Sequence, residues 1–165
     1  MKLNNSNRQH VLLLVLLLFF SGTHASSDSG TIQHLLSQPV APSGVVFEIV
    51  TADKAALQWA IPRIQQYTAS LREKFPGLEI AIVSHGREQF VLQEKNSEEY
   101  EEVHKAVKEL SAKGDVPVHI CQTFAAWNNV TPEEFPDYVS VSTTGPQQVR
   151  DYVELGYTLI KLRKN

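Results

Sequence analysis

Five short apolar runs rich in β-branched residues recur along the chain, and segments of helical character separate most of them. Runs of this length and composition predict buried strands. They occupy residues 45–50, 78–83, 116–121, 138–142 and 157–161. Because strands and helices alternate, the pattern predicts a single α/β domain with about five mostly parallel strands and helices on both faces.

The segments between the runs carry residues that start and stop helices. Residues 51–74 predict a helix that kinks or starts again at Pro62, because proline interrupts helical hydrogen bonding. A second helix is predicted from Ser97 to Lys113 and a third from Gly145 to Leu155. Residues 89–93 predict either a short strand or the entry to the second helix. Each of the three helices connects two strands of the predicted sheet.

Length and composition limit the possible functions. The chain has 165 residues, which fits one domain of ordinary size. Its formal net charge of −3 argues against nucleic-acid binding, because that affinity comes mostly from neutralising phosphates. The single cysteine excludes an internal disulfide and any cysteine-rich metal site built from this chain alone. The sequence also lacks GxGxxG, GxSxG and HExxH, the usual motifs of dinucleotide binding, serine hydrolysis and zinc proteolysis.

Residues 1–25 have the pattern of a secretory signal peptide. Lys2 and Arg8 precede an apolar run from Val11 to Phe20, and small residues follow up to Ala25. As a helix that run rises only about 15 Å, roughly half of the hydrocarbon core of a bilayer. We therefore expect cleavage after Ala25 and a periplasmic or secreted protein without a membrane span. An uncleaved anchor is the open alternative.

Residues 26–44 predict a flexible N-terminal arm that precedes the domain of residues 45–165. Serine and proline dominate the far end of this stretch, and both are typical of linkers. The helical spacing of Ile32, Leu35 and Leu36 leaves a short docked turn as the alternative.

The candidate chemistry lies where the predicted strands end, because ligands of such sheets bind beyond the carboxyl ends of the strands. Cys121 ends the third run and precedes a short predicted helix, whose N-terminus would stabilise a thiolate; the alternative is a small buried hydrophobe. His119 lies on the same strand face, about 6.6 Å away along the backbone. It would support the thiolate as a base, or it is a satisfied core histidine. His85, after the second run, is a further candidate, and we expect no metal site and no bound cofactor.

Several segments of the chain resemble the DsrE/DsrF-like family. They are Val118–Thr123, Val130–Pro136, Val139–Val141 and Val149–Ile160, with Val45–Val50 and Ile82–Gly86 earlier in the chain. The resemblance extends over Val45 to Leu162 and implies a compact Rossmann-like or flavodoxin-like domain. It also implies assembly into trimers or hexamers, and the signal peptide resembles that of the family's exported branch.

The resemblance implies a function for the cysteine. In sulfur-relay members of the family, a cysteine at the end of a central strand carries sulfur as a persulfide, and Cys121 stands at that position. An exported sulfur carrier of the sulfurtransferase type, with protein sulfur donors or acceptors as partners, is the implied function. The alternative is a non-catalytic oligomeric binding or scaffold protein, and flavin binding has only fold analogy in its favour. Four aromatic residues near the cysteine also predict a homo-oligomer, because one small domain cannot easily bury them all: Phe124, Trp127, Phe135 and Tyr138.

Overall fold

The computed structural model describes residues 28–164, and a five-stranded parallel sheet forms its centre. The strands are β1 (Gly44–Ile49), β2 (Ile80–Ser84), β3 (Val118–Cys121), β4 (Ser140–Ser142) and β5 (Tyr157–Lys161). Their order across the sheet is β4-β3-β2-β1-β5, and every neighbouring pair is parallel. The predicted α/β class is confirmed, and the sheet is parallel throughout.

Helices cover the sheet on both faces. They are α1 (Asp28–Ser37), α2 (Leu57–Lys74), α3 (Glu101–Ala112), α4 (Gln122–Trp127) and α5 (Gly145–Glu154). The chain steps in one direction from β1 to β4 and then returns through α5 to place β5 beside β1. Because parallel crossovers are right-handed, α2 and α3 lie on one face, and α5, in the returning connection, lies on the other.

The two faces of the sheet carry cores of unequal size. The larger core packs α1, α2 and α3 against alternate strand residues such as Phe47 and Ile120. The smaller core, on the α5 face, consists of Val46, Ala81, Val83 and Val149. Strands buried on both faces explain why their sequences read as continuous apolar runs rather than as an alternation of apolar and polar residues.

The segment before β1 differs from the flexible arm expected for residues 26–44. Helix α1 occupies Asp28–Ser37 and buries Ile32 and Leu35 against the larger core. The buried carboxylate of Asp28 accepts a hydrogen bond from Arg63 of α2 at 2.9 Å. Apolar spacing and this ion pair dock the segment, as the docked-turn alternative describes. The predicted signal peptide, residues 1–25, lies outside the described residues.

Two connections also differ from expectation. One continuous helix, α2, contains Pro62, so no new helix starts at this proline. That helix begins only at Leu57, because the carboxylate of Asp53 accepts the N–H of Ala55 at 3.0 Å and closes a turn instead of capping the helix. The stretch after β2 forms 3-10 helices at Arg87–Leu92 and Glu94–Asn96 rather than a strand.

Candidate functional site

Cys121 is both the last residue of β3 and the N-cap of α4. Its Sγ accepts the backbone N–H of Phe124 at 3.4 Å, and the residue is 4% exposed. The cysteine thus occupies the N-cap position, where a side chain accepts one of the unpaired N–H groups of the first helical turn. The strand end that the sequence predicted for the cysteine is therefore the place where the fold directs an N–H group at its sulfur.

The side chain of Gln89 holds the backbone at the cysteine. Its Oε1 accepts the N–H of Cys121 at 2.8 Å, and its Nε2 donates to the carbonyl oxygen of Cys121 at 3.3 Å. Gln89 is completely buried, so both hydrogen bonds form away from water. This amide takes the place of the hydrogen bonds that a strand would make beyond the end of β2, and it fixes the backbone from which the thiol extends.

A buried carboxylate joins the ends of β1 and β2. Glu88 accepts hydrogen bonds from Ser84 Oγ at 2.9 Å, from the N–H of Gly86 at 2.8 Å and from the N–H of Thr51 at 3.0 Å. Its side chain is inaccessible to solvent. Three donors compensate the burial of the charge, which is otherwise very unfavourable. Glu88 thereby joins the loop after β1, at Thr51, to the residues on both sides of His85, Ser84 and Gly86.

His85 belongs to a row of polar side chains that runs across the α5 face of the sheet. Its Nε2 lies 2.9 Å from Oε1 of Glu48, and Nζ of Lys161 lies 3.1 Å from the other carboxylate oxygen. The hydrogen bond from His85 is the largest cause that lowers the pKa of Glu48 below its ordinary 4.5; burial opposes this effect and Lys161 adds to it. Glu48, on the interior strand β1, is therefore ionised at neutral pH, with one oxygen facing His85 and the other facing Lys161.

A cavity of about 390 Å³ opens beside the cysteine. Its volume falls within the range of small-molecule sites. It lies beyond the carboxyl ends of β2 and β3, as the fold rule for such sheets requires. Among the described residues, those that line it include no lysine, arginine or carboxylate: they are His85, Cys121, Thr123, Phe124, Trp127, Thr144 and Pro146.

His119 contacts other groups than the thiol. Its Nε2 lies 2.9 Å from the hydroxyl of Tyr152 on α5, and its Nδ1 lies 3.1 Å from Oγ of Ser142 on β4. Burial lowers the pKa of the imidazole below its ordinary 6.5, which favours the neutral form. The structure thus brings Cys121 and His85 to one cavity, whereas both ring nitrogens of His119 are occupied by hydroxyl partners.

Sequence reasoning missed three polar residues that build this site: Glu48, Glu88 and Gln89. Glu48 is the one charged residue in an otherwise apolar strand, and an isolated charge in a buried run indicates a buried partner. The other two lie in the 3-10 helix after β2, and Gln89 begins the stretch of residues 89–93 that predicts either a short strand or the entry to the second helix. Two adjacent polar residues in the connection that follows a buried strand are the signal that would have pointed to them.

Two general features of the described residues complete the site. Within residues 28–164, no three His, Cys, Asp or Glu side chains converge in a way that would hold a metal ion. No helix of the same stretch combines the length and hydropathy needed to cross a membrane.

At the start of α5, Oγ1 of Thr144 accepts the N–H of Gln147 at 3.3 Å, so this threonine serves as a helix cap.

The fold and the site define a class: a parallel α/β domain with a cysteine at the carboxyl edge of its sheet. The family model of the DsrE/DsrF-like family matches residues 45–162, and the chain belongs to this family. No curated protein matches it.

Two solved structures share the fold. A protein of unknown function from Methanobacterium thermoautotrophicum, MTH1491, superimposes with a TM-score of 0.58 at 20% identity, over 71% of this chain and 96% of the other. A conserved protein of unknown function from Bacteroides thetaiotaomicron, BT1422, gives a TM-score of 0.51 at 12% identity, over 73% and 95% of the two chains. At these identities the similarity demonstrates a shared fold.

Proposed function

We propose that this protein is an exported sulfur carrier in which Cys121 accepts a sulfane sulfur and passes it on. The observation that carries the proposal is the position of the thiol. Its sulfur accepts an N–H hydrogen bond at the carboxyl edge of the sheet and lines a cavity of about 390 Å³. Membership of the DsrE/DsrF-like family supports the same reading. The resemblance to sulfur-relay members implies that Cys121 is the residue that would carry the sulfur.

The chemistry needs only thiols. The thiolate of Cys121 attacks the outer sulfur of a donor persulfide, a new S–S bond forms, and the donor S–S bond breaks. The donor leaves as a thiolate, and the cysteine becomes a persulfide without net oxidation or reduction. An acceptor thiolate takes the outer sulfur in the same way and restores the Cys121 thiolate. No bound cofactor takes part in either step.

Assembly is part of the proposal. Trp127 borders the cavity with 76% of its surface exposed, whereas Phe135 is buried in the larger core. An exposed tryptophan beside a functional cavity favours an interface. We expect a homo-oligomer, a trimer or a hexamer, with Cys121 near a subunit boundary, and a light-scattering mass at tens of micromolar checks this. A monomeric mass would contradict it.

Export is the second part. We expect the mature protein to begin near Ser26, because the small residues at Thr23 and Ala25 suit signal-peptide cleavage. Intact-mass analysis of the protein recovered from the cell exterior or periplasm gives its first residue. Recovery of a folded, exported chain that still carries residues 1–24 would contradict cleavage.

The test of sulfur loading is intact-mass measurement after incubation with a low-molecular-weight persulfide. The wild type should gain about 32 Da, the mass of one sulfur atom. Cys121→Ser should gain nothing, because the chain has no other cysteine. Serine differs from cysteine by one atom, so circular dichroism and the oligomeric mass should be unchanged in this control.

The alternative function rests on the burial of the same residue. A thiol that is 4% exposed is also what a non-catalytic binding or scaffold protein of this fold would have. A wild type that forms no adduct, and whose Cys121 reacts with iodoacetamide only in denaturant, would favour that alternative.

A further inference from the structure

We propose that His85 accepts the thiol proton of Cys121 and that Glu48 positions His85 for this step. The inference rests on the proposed function for its use in sulfur transfer, but it concerns thiol activation, which is measured independently of any sulfur donor. The observations that carry it are a shared strand register, a shared cavity and a carboxylate that fixes one nitrogen of the imidazole.

The register places the two side chains next to each other. Strands β2 and β3 pair in parallel with Ser84 opposite Ile120, so the following residues, His85 and Cys121, are the next pair along the sheet. Neighbouring strands are about 4.8 Å apart, and paired residues of parallel strands direct their side chains to the same face. Both residues also line the same cavity.

Glu48 determines which nitrogen of His85 carries the proton. Its carboxylate cannot donate a proton when ionised, so His85 must donate from Nε2 across the 2.9 Å contact. Neutral His85 is then protonated at Nε2, and its Nδ1 keeps a free lone pair. Among the described residues, Nδ1 of His85 has no hydrogen-bond partner, in contrast to both nitrogens of His119.

Tight packing holds the imidazole in place. A Cβ atom added at Gly145, the first residue of α5, would lie 2.3 Å from Cβ and 3.2 Å from Cδ2 of His85. Only glycine lets the helix approach the ring this closely. With Glu48 on one side and α5 against the ring, His85 has little freedom to turn away from the cavity.

The proposed step conserves atoms and charge. The proton leaves Sγ of Cys121 and binds Nδ1 of His85, which gives a thiolate and an imidazolium. The imidazolium keeps its Nε2–H hydrogen bond to Glu48, so the new positive charge lies against a carboxylate. When the donor departs as a thiolate, His85 returns the proton to it and becomes neutral again.

Other titratable groups surround this pair and would shape its pH dependence. They are Glu48 from β1, Lys161 from β5, Glu88 from the 3-10 helix after β2, His119 from β3 and Tyr152 from α5. Burial already favours neutral His119, and Glu48 and Lys161 compensate each other in charge. His85 is thus the group in this set that lines the same cavity as the thiol and has a free ring nitrogen.

The test measures the rate at which native Cys121 reacts with iodoacetamide as a function of pH. His85→Gln keeps a donor for Glu48 but removes the base. Glu48→Gln offers an amide N–H to Nε2 of His85. It therefore favours the tautomer in which Nδ1 carries the proton and cannot accept another from the thiol. We expect each variant to react about tenfold more slowly near neutral pH, and the rise of rate with pH to move up by about one unit. At strongly alkaline pH, where the thiol ionises without help, the rates should converge with the wild type.

The control is His104→Gln, a buried histidine on α3 that hydrogen-bonds Tyr138 and the carbonyl oxygen of Val91. Its profile should match the wild type. A His85→Gln profile equal to the wild type would overturn the inference, and so would a rate lowered equally at every pH, which indicates loss of structure alone. Failure of the proposed function is a separate result: the profiles shift as described while a persulfide donor leaves no adduct of about 32 Da.

Discussion

Replacing Glu88 should destabilise the whole domain, although this residue lies in a short 3-10 helix. Its carboxylate satisfies the backbone N–H groups of Thr51 and Gly86 and the hydroxyl of Ser84. A hydrogen bond to a charged group contributes about 1.5–3 kcal/mol, and a buried donor left unpaired costs about 1–3 kcal/mol. Glu88→Ala orphans all three donors at once. We expect its free energy of unfolding to fall by about 3–5 kcal/mol, out of the roughly 5–15 kcal/mol typical of a small domain.

Urea unfolding followed by circular dichroism measures this loss of stability. Two further variants separate the lost hydrogen bonds from the lost charge. Glu88→Gln keeps the shape but presents an NH₂ group to one of the donors, so it should lose about 1–3 kcal/mol and stay folded. Glu73→Gln removes an equal charge from an exposed position on α2 and should change stability by less than about 0.5 kcal/mol. If both Glu88 variants fell within about 0.5 kcal/mol of the wild type, the assignment of Glu88 as the link between β1 and β2 would be refuted.

Three further predictions concern the α5 face. Gly145→Ala should lower the free energy of unfolding by about 1–3 kcal/mol in urea, because its Cβ would lie 2.3 Å from Cβ of His85; an unchanged midpoint would contradict this contact. Burial lowers the pKa of His119 below 6.5, so the unfolded chain binds this proton more readily than the folded chain, and the free energy of unfolding should fall as the pH drops below 6.5. In a series of unfolding curves at different pH, His119→Gln should weaken this dependence of stability on pH. Burial, with the hydrogen bond to Glu79, raises the pKa of Tyr157 from 10.0 to about 12. The contribution of its protonated form to stability is therefore complete below pH 10 and is lost as the pH rises to about 12. Tyr157→Phe should abolish this loss in the same series of unfolding curves.

The sheet could be predicted from sequence because its strands are buried on both faces. A run such as residues 45–50 cannot satisfy the period of an amphipathic helix, and glycine and proline bound most of the runs. The last strand, Tyr157–Lys161, has the predicted boundaries, and the first differs by one residue. The N-terminal helix was harder, because its stability comes from Ile32 and Leu35 packing on a core that lies elsewhere in the sequence.

The candidate site was predictable in position but not in connectivity. Cys121 ends one strand and His85 follows another, which places both at one edge of any parallel sheet, whatever the strand order. The pairing of His85 with Glu48 depends on β1 and β2 being neighbours, which the structure fixes at five register positions. Similarly, Gln89 reaches the backbone of Cys121 because β2 and β3 are neighbours and the 3-10 helix after β2 lies at the end of β3. Partners separated by 37 or 32 residues carry no local sequence pattern that would connect them.

The unequal covering of the two faces explains why the polar row occupies the face that it does. The side of the sheet covered by α1, α2 and α3 is a continuous apolar core, where a titrating thiol and imidazole would lose their hydration without compensation. On the α5 side, the core is small, and Glu48, His85 and Cys121 lie where the strands emerge beyond it. There the proposed thiolate and imidazolium would form beside the carboxylate of Glu48 and next to the cavity. The same thin covering leaves Trp127, which borders the cavity, 76% exposed, and the proposed homo-oligomer would cover this side chain while leaving the large core untouched.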